Sequence, residues 1–367
     1  MKFTLSREAL LKPLQLVAGV VERRQTMPVL SNILLVVEGN QLSMTGTDLE
    51  VEMIARIELE HPAEAGSITV PAKKLMDICK SLTDGVDIEL TLTGQKVMIK
   101  GGRSRFTLTT LPASEFPSVE DAPESLDIRI SQGALKRLIE RTGFAMAQQD
   151  VRYYLNGMLL ELTGTQLRTV ATDGHRLATS IYKVDTDIVD RVQVIVPRKG
   201  ILELARLLED SDNSAELLIG SSHIRVSTGE YTFTSKLVDG KFPDYERVIP
   251  KGGDKLIIAD RQELRQVLNR IAILSNEKYR GVRLVLTDDS LQILANNPEQ
   301  EEAEETLAVD YKNTAMEIGF NVNYLLDALS ILPDQMVKIT MKDPNSSALV
   351  EAVDSSDNVY VIMPMRM

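Results

Sequence analysis

The chain has 367 residues, a net charge of −12 and a single cysteine, Cys79. One cysteine excludes an intrachain disulfide, and no stretch approaches the roughly 20 apolar residues that a transmembrane helix needs. The length suits two or three domains. The first residues contain no apolar run typical of an export signal, so a cytoplasmic protein is expected.

Six segments have the apolar spacing of amphipathic helices: 6–24, 73–82, 131–147, 198–210, 260–280 and 321–332. Ser6, Ser131 and Asp260 stand at or near the start of three of them, where such side chains serve as N-caps. Cys79 lies on the apolar face of the second, which predicts a buried packing role. Between the helices, short strands separated by Gly and Asp turns should pair antiparallel. This pattern predicts an α+β fold with helices packed on antiparallel sheets.

One pattern occurs three times along the chain. Similar strands end on Thr47-Asp48, Thr172-Asp173 and Asn296-Asn297, which are 125 and 124 residues apart. A constant period of this size predicts three copies of one domain, each of about 120 residues. Links rich in Pro place the predicted domains at 1–122, 123–251 and 252–367.

Charge is unevenly distributed between helices and the rest of the chain. The six helical segments contain 18 Lys and Arg against 11 Asp and Glu, a net charge of +7 that leaves −19 elsewhere. These charges form either ordinary solvated helix faces or one positive surface lined by helices on an acidic body.

No known catalytic motif is evident. The sequence has no P-loop and no strand-linked GxGxxG, and His61, His175 and His223 lack metal-ligand spacing. Asp173 and His175 suggest a hydrolase, but Asp173-Gly174 is first a turn signal. The turn is the favoured interpretation, and we expect no cofactor, no metal and no enzymatic activity.

Two further features suggest binding surfaces. Met363, Met365 and Met367 flank Pro364 near the end of the chain, either packed into the core or lining an adaptable groove. Strand alternation places Arg103 and Arg105 on one face, with Phe106 and Leu108 on the other. Four glutamates, 301, 302, 304 and 305, crowd a strand of the third repeat. These opposite charges are either unrelated solvated patches or a head-to-tail subunit contact.

The motifs TGTDLE, VRYYLNGM, TVATDGHRLA, VPRKG, FTSKLVDGKFPDY, NNPEQEEAEE and YVIMPMRM are spread between Thr45 and Met367. With them the chain closely resembles, over its whole length, the beta subunits of bacterial DNA polymerase III, the sliding clamps. The resemblance implies three similar domains with two helices each, and a head-to-tail homodimer closed into a ring. It implies a non-catalytic protein that encircles duplex DNA and tethers the replicative polymerase. The alternative function is an acidic protein-interaction scaffold that does not enclose DNA.

The resemblance also implies partners and site residues. Besides a second copy and duplex DNA, the partners are the polymerase III catalytic subunit, the clamp loader, and other DNA polymerases and repair proteins that carry clamp-binding peptides. The implied peptide pocket comprises Leu155, Thr172, Gly174, His175, Arg176, Leu177, Pro243, Arg247, Val248, Asn321, Tyr324, Ser347, Val361, Ile362, Met363, Pro364, Met365 and Arg366. The implied DNA contacts are Arg24, Lys73, Gln149, Tyr153, Tyr154, Arg198 and Lys199. The implied dimer interface sets Lys74, Arg103, Arg105, Phe106 and Leu108 against Ile273, Leu274, Glu301 and Glu305. Met367 and Pro344-Asn345 depart mildly from the family pattern.

Overall fold

A computed structural model describes residues 1–22, 27–117, 126–186 and 190–366. In these residues one order of elements occurs three times: a strand, a helix, four strands, a helix and three strands. The first repeat contains β1 (Lys2–Ser6), α1 (Arg7–Val20), β2 (Asn32–Glu38), β3 (Gln41–Thr47), β4 (Val51–Glu58), β5 (Gly66–Pro71), α2 (Ala72–Ser81), β6 (Asp87–Thr93), β7 (Lys96–Gly101) and β8 (Ser104–Thr109). The second contains β9 (Leu126–Ser131), α3 (Gln132–Gly143), β10 (Gly157–Thr163), β11 (Gln166–Thr172), β12 (Arg176–Lys183), β13 (Val192–Pro197), α4 (Arg198–Leu207), β14 (Ser214–Ile219), β15 (His223–Thr228) and β16 (Tyr231–Lys236). The third contains β17 (Lys255–Asp260), α5 (Arg261–Ile271), β18 (Gly281–Thr287), β19 (Ser290–Asn296), β20 (Glu302–Ala308), β21 (Met316–Asn321), α6 (Val322–Ile331), β22 (Met336–Met341), β23 (Ala348–Ala352) and β24 (Asn358–Ile362).

The first helix of every repeat begins at a predicted cap. The side chain of Ser6 accepts a hydrogen bond from the third amide that follows it, at 3.2 Å, and Ser131 and Asp260 do the same at 3.3 and 2.9 Å. Each cap satisfies an amide that has no partner within the helix. The predicted α+β fold, with two helices in each repeat, is confirmed.

Four predicted helices are too long, and two of them, 6–24 and 198–210, already end at Val20 and Leu207. The segment 131–147 is helical only to Gly143, because glycine favours helix termination. The segment 260–280 is helical to Ile271 and continues as one 3₁₀ turn, Ala272–Leu274. Apolar spacing continues past both ends, so periodicity alone overestimates them.

The chain divides into two compact units that do not coincide with the repeats. The first unit comprises 1–136 and 196–237. It contains an eight-stranded sheet of order β5-β2-β3-β4-β16-β15-β14-β9 and a four-stranded sheet of order β1-β6-β7-β8. Strand β4 of the first repeat pairs with β16 of the second, with Val51 opposite Ser235.

The second unit comprises 137–195 and 238–367. Its eight-stranded sheet has the order β13-β10-β11-β12-β24-β23-β22-β17, and its four-stranded sheet the order β20-β19-β18-β21. Strand β12 of the second repeat pairs with β24 of the third, with Arg176 opposite Ile362. Each unit therefore contains one junction at which two repeats share a continuous antiparallel sheet.

Several sheet edges are covered by other parts of the chain. Single bridges border β1, β5 and β17, and the amide of Met365 donates to Gly319 of β21 at 2.9 Å. Within the described ranges, no isolated bridge borders the outer sides of β8, β9, β13 and β20, although β13 accepts one backbone hydrogen bond, from the amide of Val238 to the carbonyl of Ile195 at 2.8 Å. Uncovered edges can accept a further strand from another chain.

Cys79 is fully buried on the inner face of α2, as predicted. Burial raises the pKa of its thiol to about 11. Because the thiolate is the reactive form, this cysteine serves packing rather than chemistry.

Candidate functional site

The turn between β11 and β12 lies at the junction of the second and third repeats. The Oδ1 atom of Asp173 accepts hydrogen bonds from the amides of His175 and Arg176, at 2.9 and 3.0 Å. The Thr172 hydroxyl donates to the carbonyl of Arg176 at 2.6 Å and accepts from the amide of Gly174 at 3.1 Å. Gly174 has φ +88°, a conformation that glycine adopts without strain.

The same turn occurs between β3 and β4 in the first unit. Asp48 accepts from the amides of Glu50 and Val51 at 2.9 and 2.7 Å, and Thr47 donates to the carbonyl of Val51 at 2.9 Å. The motif is therefore a structural turn inherited with the repeat, and that interpretation is confirmed.

The Asp–His arrangement of a hydrolase is not formed. The carboxylate of Asp173 is occupied by two backbone amides and by Nε of Arg176, at 3.2 Å. The imidazole ring of His175 instead stacks on Tyr324, with 6.4 Å between ring centroids. No hydrogen bond links the Asp173 and His175 side chains, so acid–base catalysis has no geometric support here.

Arg176 connects this turn to α6 and to the end of α3. Its guanidinium donates to Asp173 and Asp327 and to the carbonyl of Phe144, the last at 2.9 Å. It also lies over the Tyr324 ring at 4.6 Å and the Phe144 ring at 5.2 Å. The Arg176 side chain is only 14% exposed, and these hydrogen bonds and ring contacts fix its position. Arg176 therefore fixes the position of Tyr324 rather than extending freely into solvent.

An apolar cluster lies against one face of the same sheet. Its buried members are Ala147, Leu155, Leu159, Val170, Leu177, Ile195, Phe242, Tyr245 and Val361. Strands β10 to β13 and β24 supply five of them, and the segment that follows β16 supplies Phe242 and Tyr245. Three predicted pocket residues, Leu155, Leu177 and Val361, therefore lie together.

The tail after β24 runs along the turn. The amide of Met363 donates to the carbonyl of His175 at 3.0 Å, and the Met363 side chain is 44% exposed. Met365 is half-buried and Arg366 is exposed, while Met367 lies outside the described residues. An exposed Met beside His175 and Tyr324 provides an adaptable apolar surface.

The remaining predicted pocket residues also belong to the second unit. Pro243, Arg247 and Val248 are exposed on the segment that contains Phe242 and Tyr245. Asn321 caps α6 through its side chain, which accepts from the amide of Asn323 at 2.9 Å. Ser347 precedes β23, whose first residue pairs with Ile362.

Three predicted DNA contacts lie on the loop before β10. Asp150 binds Arg152 through both carboxylate oxygens, at 3.0 and 2.8 Å, and Asn156 binds the Asp150 backbone at both its amide and its carbonyl. The hydrogen bonds from Arg152 lower the pKa of Asp150 to about 2. Tyr153 is 57% exposed, whereas Tyr154 packs against the apolar cluster. Gln149, with φ +55°, is exposed.

The other predicted DNA contacts differ in availability. Lys73 is exposed, Arg198 is half-buried, and Arg24 falls outside the described residues. Lys199 forms ion pairs with Glu22, at 2.8 Å, and with Asp48. Burial alone would lower the pKa of Lys199, but the hydrogen bonds to these two carboxylates outweigh it and raise the pKa. Any phosphate contact by Lys199 therefore competes with two carboxylates of its own chain.

Four of the predicted interface residues lie on two edge strands without a bridge in the described ranges: Arg105, Phe106 and Leu108 on β8, and Glu305 on β20. In the first unit, Arg105 is exposed on β8, Phe106 is half-buried and Leu108 is buried, which confirms their alternation. Arg103 was predicted on this strand and lies instead in the preceding turn, because β8 begins at Ser104. Lys74 is exposed on α2.

In the second unit, Ile273 is 76% exposed and Leu274 is half-buried. Glu305 on β20 already binds Arg270 through both oxygens, at 2.9 and 2.5 Å. Glu301 precedes the strand and accepts from the Asn297 side chain at 2.6 Å. An interface that uses either glutamate must therefore share it with a neighbour in its own chain.

Sequence reasoning missed two side chains beside the predicted pocket. The guanidinium of Arg152 lies so close to Gly174 that a Cβ atom there would be 2.9 Å from it. Tyr279 is 56% exposed, and its carbonyl accepts from the Asn321 side chain at 3.3 Å. The sequence did contain one signal for Arg152: position 174 is Gly, where the first repeat has Leu49, and only Gly leaves room for a side chain this close.

The charge separation becomes sharper with the observed helix bounds. The helices contain 14 Lys and Arg against six Asp and Glu, a net charge of +8, which leaves −20 for the rest of the chain. No group of three or more potential metal ligands occurs in the described part of the chain. Among the same residues, no helix is long and apolar enough to cross a membrane.

Comparison with known proteins identifies the family. Models of the DNA polymerase III beta subunit match in three parts: the N-terminal domain over residues 1–120, the central domain over 129–244 and the C-terminal domain over 246–366. The beta sliding clamps of Pseudomonas putida and Escherichia coli K12 are 64% and 52% identical to this chain, each over the full length of both chains. A crystal structure of the Pseudomonas aeruginosa clamp bound to griselimycin is 64% identical, with a TM-score of 0.97 and full coverage of both chains.

These matches confirm the resemblance seen in the motifs and favour a sliding clamp over an acidic scaffold. The chain therefore belongs to the family of DNA polymerase III beta subunits, the beta sliding clamps.

Proposed function

We propose that two copies of this chain pair head to tail into a closed ring around duplex DNA and tether the replicative polymerase. The observation that carries the proposal is the opposite charge of two edge strands, β8 and β20, that no bridge borders within the described ranges. Strand β8 presents Arg105, with Arg103 in the turn before it, and β20 presents Glu302 and Glu304 on its exposed face. Antiparallel pairing of β8 with the β20 of a second copy would satisfy both backbone edges. Two such contacts close the ring, whereas a contact that did not close would build a filament.

The exposed apolar residues beside these edges fit the same contact. Ile273 is 76% exposed, so its side chain can be buried by a second copy. We place it, with Leu274, against Phe106 and Leu108 of the second copy. Reversing Arg103 and Arg105 to Glu should raise the dimer dissociation constant by at least tenfold, measured by sedimentation at falling protein concentration. An unaltered constant would remove the charge-pairing claim.

The basic helices are proposed to line the hole, with contacts from Arg24, Lys73, Gln149, Tyr153, Tyr154, Arg198 and Lys199. Retention on DNA then rests on enclosure, so the phosphate contacts can stay weak and exchange as the ring slides. Weak contacts also limit the loss of binding at high salt. The acidic remainder of the chain repels DNA elsewhere.

The cluster and tail at the β12–β24 junction are proposed to bind short extended peptides anchored by Leu or Phe. The peptides belong to the polymerase III catalytic subunit, the clamp loader, and other DNA polymerases and repair proteins. We also propose that griselimycin, which the P. aeruginosa clamp binds, occupies this pocket. Replacing Met363 and Met365 with Ala should weaken peptide binding and leave the dimer intact. If a peptide ending in Leu-Phe binds that variant unchanged, the pocket is wrongly assigned.

We also propose that the protein is non-catalytic and cytoplasmic and needs no cofactor. The turn chemistry of Asp173 and the buried thiol of Cys79 support the absence of catalysis. Domain boundaries near residues 122 and 251 remain part of the proposal.

Retention on DNA of two topologies tests enclosure directly. The protein is loaded onto nicked circular duplex with clamp loader and ATP, isolated by gel filtration, and half of the sample is cut once. Retention on the circle with loss from the linear DNA is the expected result. Equal retention on both would mean surface binding and would overturn the ring, and the dimer mass in solution serves as the control for assembly.

A further inference from the structure

A buried carboxylate lies beneath the apolar cluster, on the same face of the sheet. Glu161 is two residues from Leu159 on β10, so both side chains point to one face. The Glu161 side chain is 5% exposed. Its Oε1 accepts from the hydroxyl of Tyr245 at 2.7 Å. Its Oε2 accepts from Gln193 at 2.6 Å and from two nitrogens of Arg191 at 2.8 and 2.5 Å.

This carboxylate remains charged although it is buried. Burial would raise the pKa of Glu161, but hydrogen bonds from Tyr245, Gln193 and Arg191 outweigh burial and lower it. Burial, followed by the hydrogen bond to Glu161, raises the pKa of Tyr245 to about 12. Tyr245 is therefore a protonated donor at neutral pH. A buried charge with four donors is well satisfied, and the loss of any donor is costly.

The side-chain network attaches residues 239–250 to the sheet. Among the described residues, the backbone hydrogen bond that this segment makes is internal, from the amide of Val248 to the carbonyl of Tyr245 at 3.0 Å. Apolar contacts of Phe242, Tyr245 and Ile249 attach the segment to the cluster. Such contacts are non-directional, so they set the depth of the segment but not its lateral position.

Among the described residues, the directional contacts between this segment and the sheet come from the 3₁₀ turn Tyr245–Arg247. Besides the bond to Glu161, the Tyr245 hydroxyl accepts from Arg168 at 3.0 Å. Arg191, already bound to Glu161, also reaches Glu246 at 3.0 Å. Adjacent residues of the turn are thus tied to the sheet through one carboxylate and one guanidinium.

The exposed residues of this segment, Pro243, Arg247 and Val248, form one side of the proposed peptide pocket. We propose that Glu161, acting through Tyr245 and Arg191, is a positioning residue that fixes this side of the pocket relative to the β12–β24 junction. The inference rests on the proposed function of the pocket and adds to it the group that holds one side in register. No part of the network needs to touch the peptide.

Tyr245→Phe tests the proposal, because it removes one hydroxyl and keeps the buried ring. A fluorescein-labelled peptide ending in Leu-Phe is titrated with the full-length protein, and anisotropy gives its Kd. We expect Kd to rise about tenfold, the effect of one lost hydrogen bond to a charged group. Arg191→Gln, at a half-exposed position, should raise it about threefold. This second variant leaves the Tyr245–Glu161 pair in place and keeps the test valid if Tyr245→Phe folds poorly.

Tyr360→Phe is the matched control. Tyr360 is also buried, lies on β24 next to Val361, and has a hydroxyl without a hydrogen-bond partner among the described residues. Removing that hydroxyl should leave the peptide Kd unchanged. If Tyr360→Phe weakens the peptide as much as Tyr245→Phe, loss of a buried hydroxyl has a general effect and the positioning role is overturned.

A double-mutant cycle separates positioning from general destabilisation. Tyr245→Phe combined with Val248→Ala should lose less than the sum of the single effects, because both act on the same side of the pocket. Combined with Met363→Ala, on the tail after β24, the effects should add. Additive effects in both cycles would overturn the proposal.

The outcome also distinguishes this inference from the pocket itself. If the wild type binds the peptide and Met363→Ala weakens it, the pocket stands. A Tyr245→Phe variant that then binds like wild type refutes the role of Glu161 alone. If Met363→Ala has no effect, the pocket is wrongly placed and the positioning role falls with it.

Discussion

The repeated turn offers an internal experiment on how the peptide pocket is held. Replacing Asp173 with Ala removes two hydrogen bonds from backbone amides, at 2.9 and 3.0 Å, and one from Arg176 at 3.2 Å. Hydrogen bonds to a charged group contribute about 1.5–3 kcal/mol each, and the lower value suits a side chain that is 19% exposed. The two amide bonds then account for about 3 kcal/mol of local stability.

This loss should appear in peptide binding as well as in local order. The carbonyl of His175 accepts from the amide of Met363, so a loosened turn also frees the tail. If peptide binding must restore half of the lost order, about 1.5 kcal/mol, Kd rises by about tenfold. Asp173→Asn keeps an acceptor for both amides and should cost about 1 kcal/mol. Hydrogen exchange of residues 172–178 and peptide anisotropy measure the two effects.

Asp48→Ala provides the matched control in the first unit. Asp48 makes the same two amide bonds, at 2.9 and 2.7 Å, and additionally pairs with Lys199. The Asp48→Ala variant should therefore reduce the hydrogen-exchange protection of its own turn at least as strongly as Asp173→Ala does, but leave the peptide Kd unchanged. Equal losses of affinity in both variants, or no loss in Asp173→Ala, would refute the link between the turn and the pocket.

Three further expectations follow from the structure. Cys79, buried and with its pKa raised to about 11, should not react with an aromatic disulfide reagent at pH 8 until urea unfolds the chain; fast labelling of the native protein would contradict this. The pKa of Asp150 is lowered to about 2. The carboxylate therefore stabilises the loop fully at any pH above the usual pKa of an Asp side chain, and this stabilisation is lost as the pH falls through about 2. Carbon-13 NMR of the Asp150 carboxyl should follow this titration, and Arg152→Ala should move it back upwards. Arg176→Lys keeps the positive charge but cannot reproduce the planar contacts with two carboxylates and two rings. This variant should lower the unfolding midpoint in urea and raise the peptide Kd about tenfold. Wild-type values of both would show that Arg176 is dispensable.

The sequence predicted the main features of the fold because they depend on local patterns. Helical spacing of apolar residues identified the six helices, and alternation identified strands. Ser6, Ser131 and Asp260 cap three of these helices, as predicted. The period of 124 to 125 residues identified three copies of one domain. Identification of the Asp173 turn was also local, since its hydrogen bonds join residues within four positions of each other.

The remaining features depend on residues that are distant along the chain. No local pattern indicates that Arg176 meets Asp327, or that Glu161 meets Tyr245 across 84 positions. Nor does it indicate that Lys199 and Glu305 already have partners in their own chain. Charge and spacing predict which residue types can bind a partner. Only the tertiary structure decides which of them meet and which are already neutralised: the pairing of β12 with β24 joins the second and third repeats where Arg176 meets Asp327, and the pairing of β4 with β16 joins the first and second repeats where Lys199 meets Asp48.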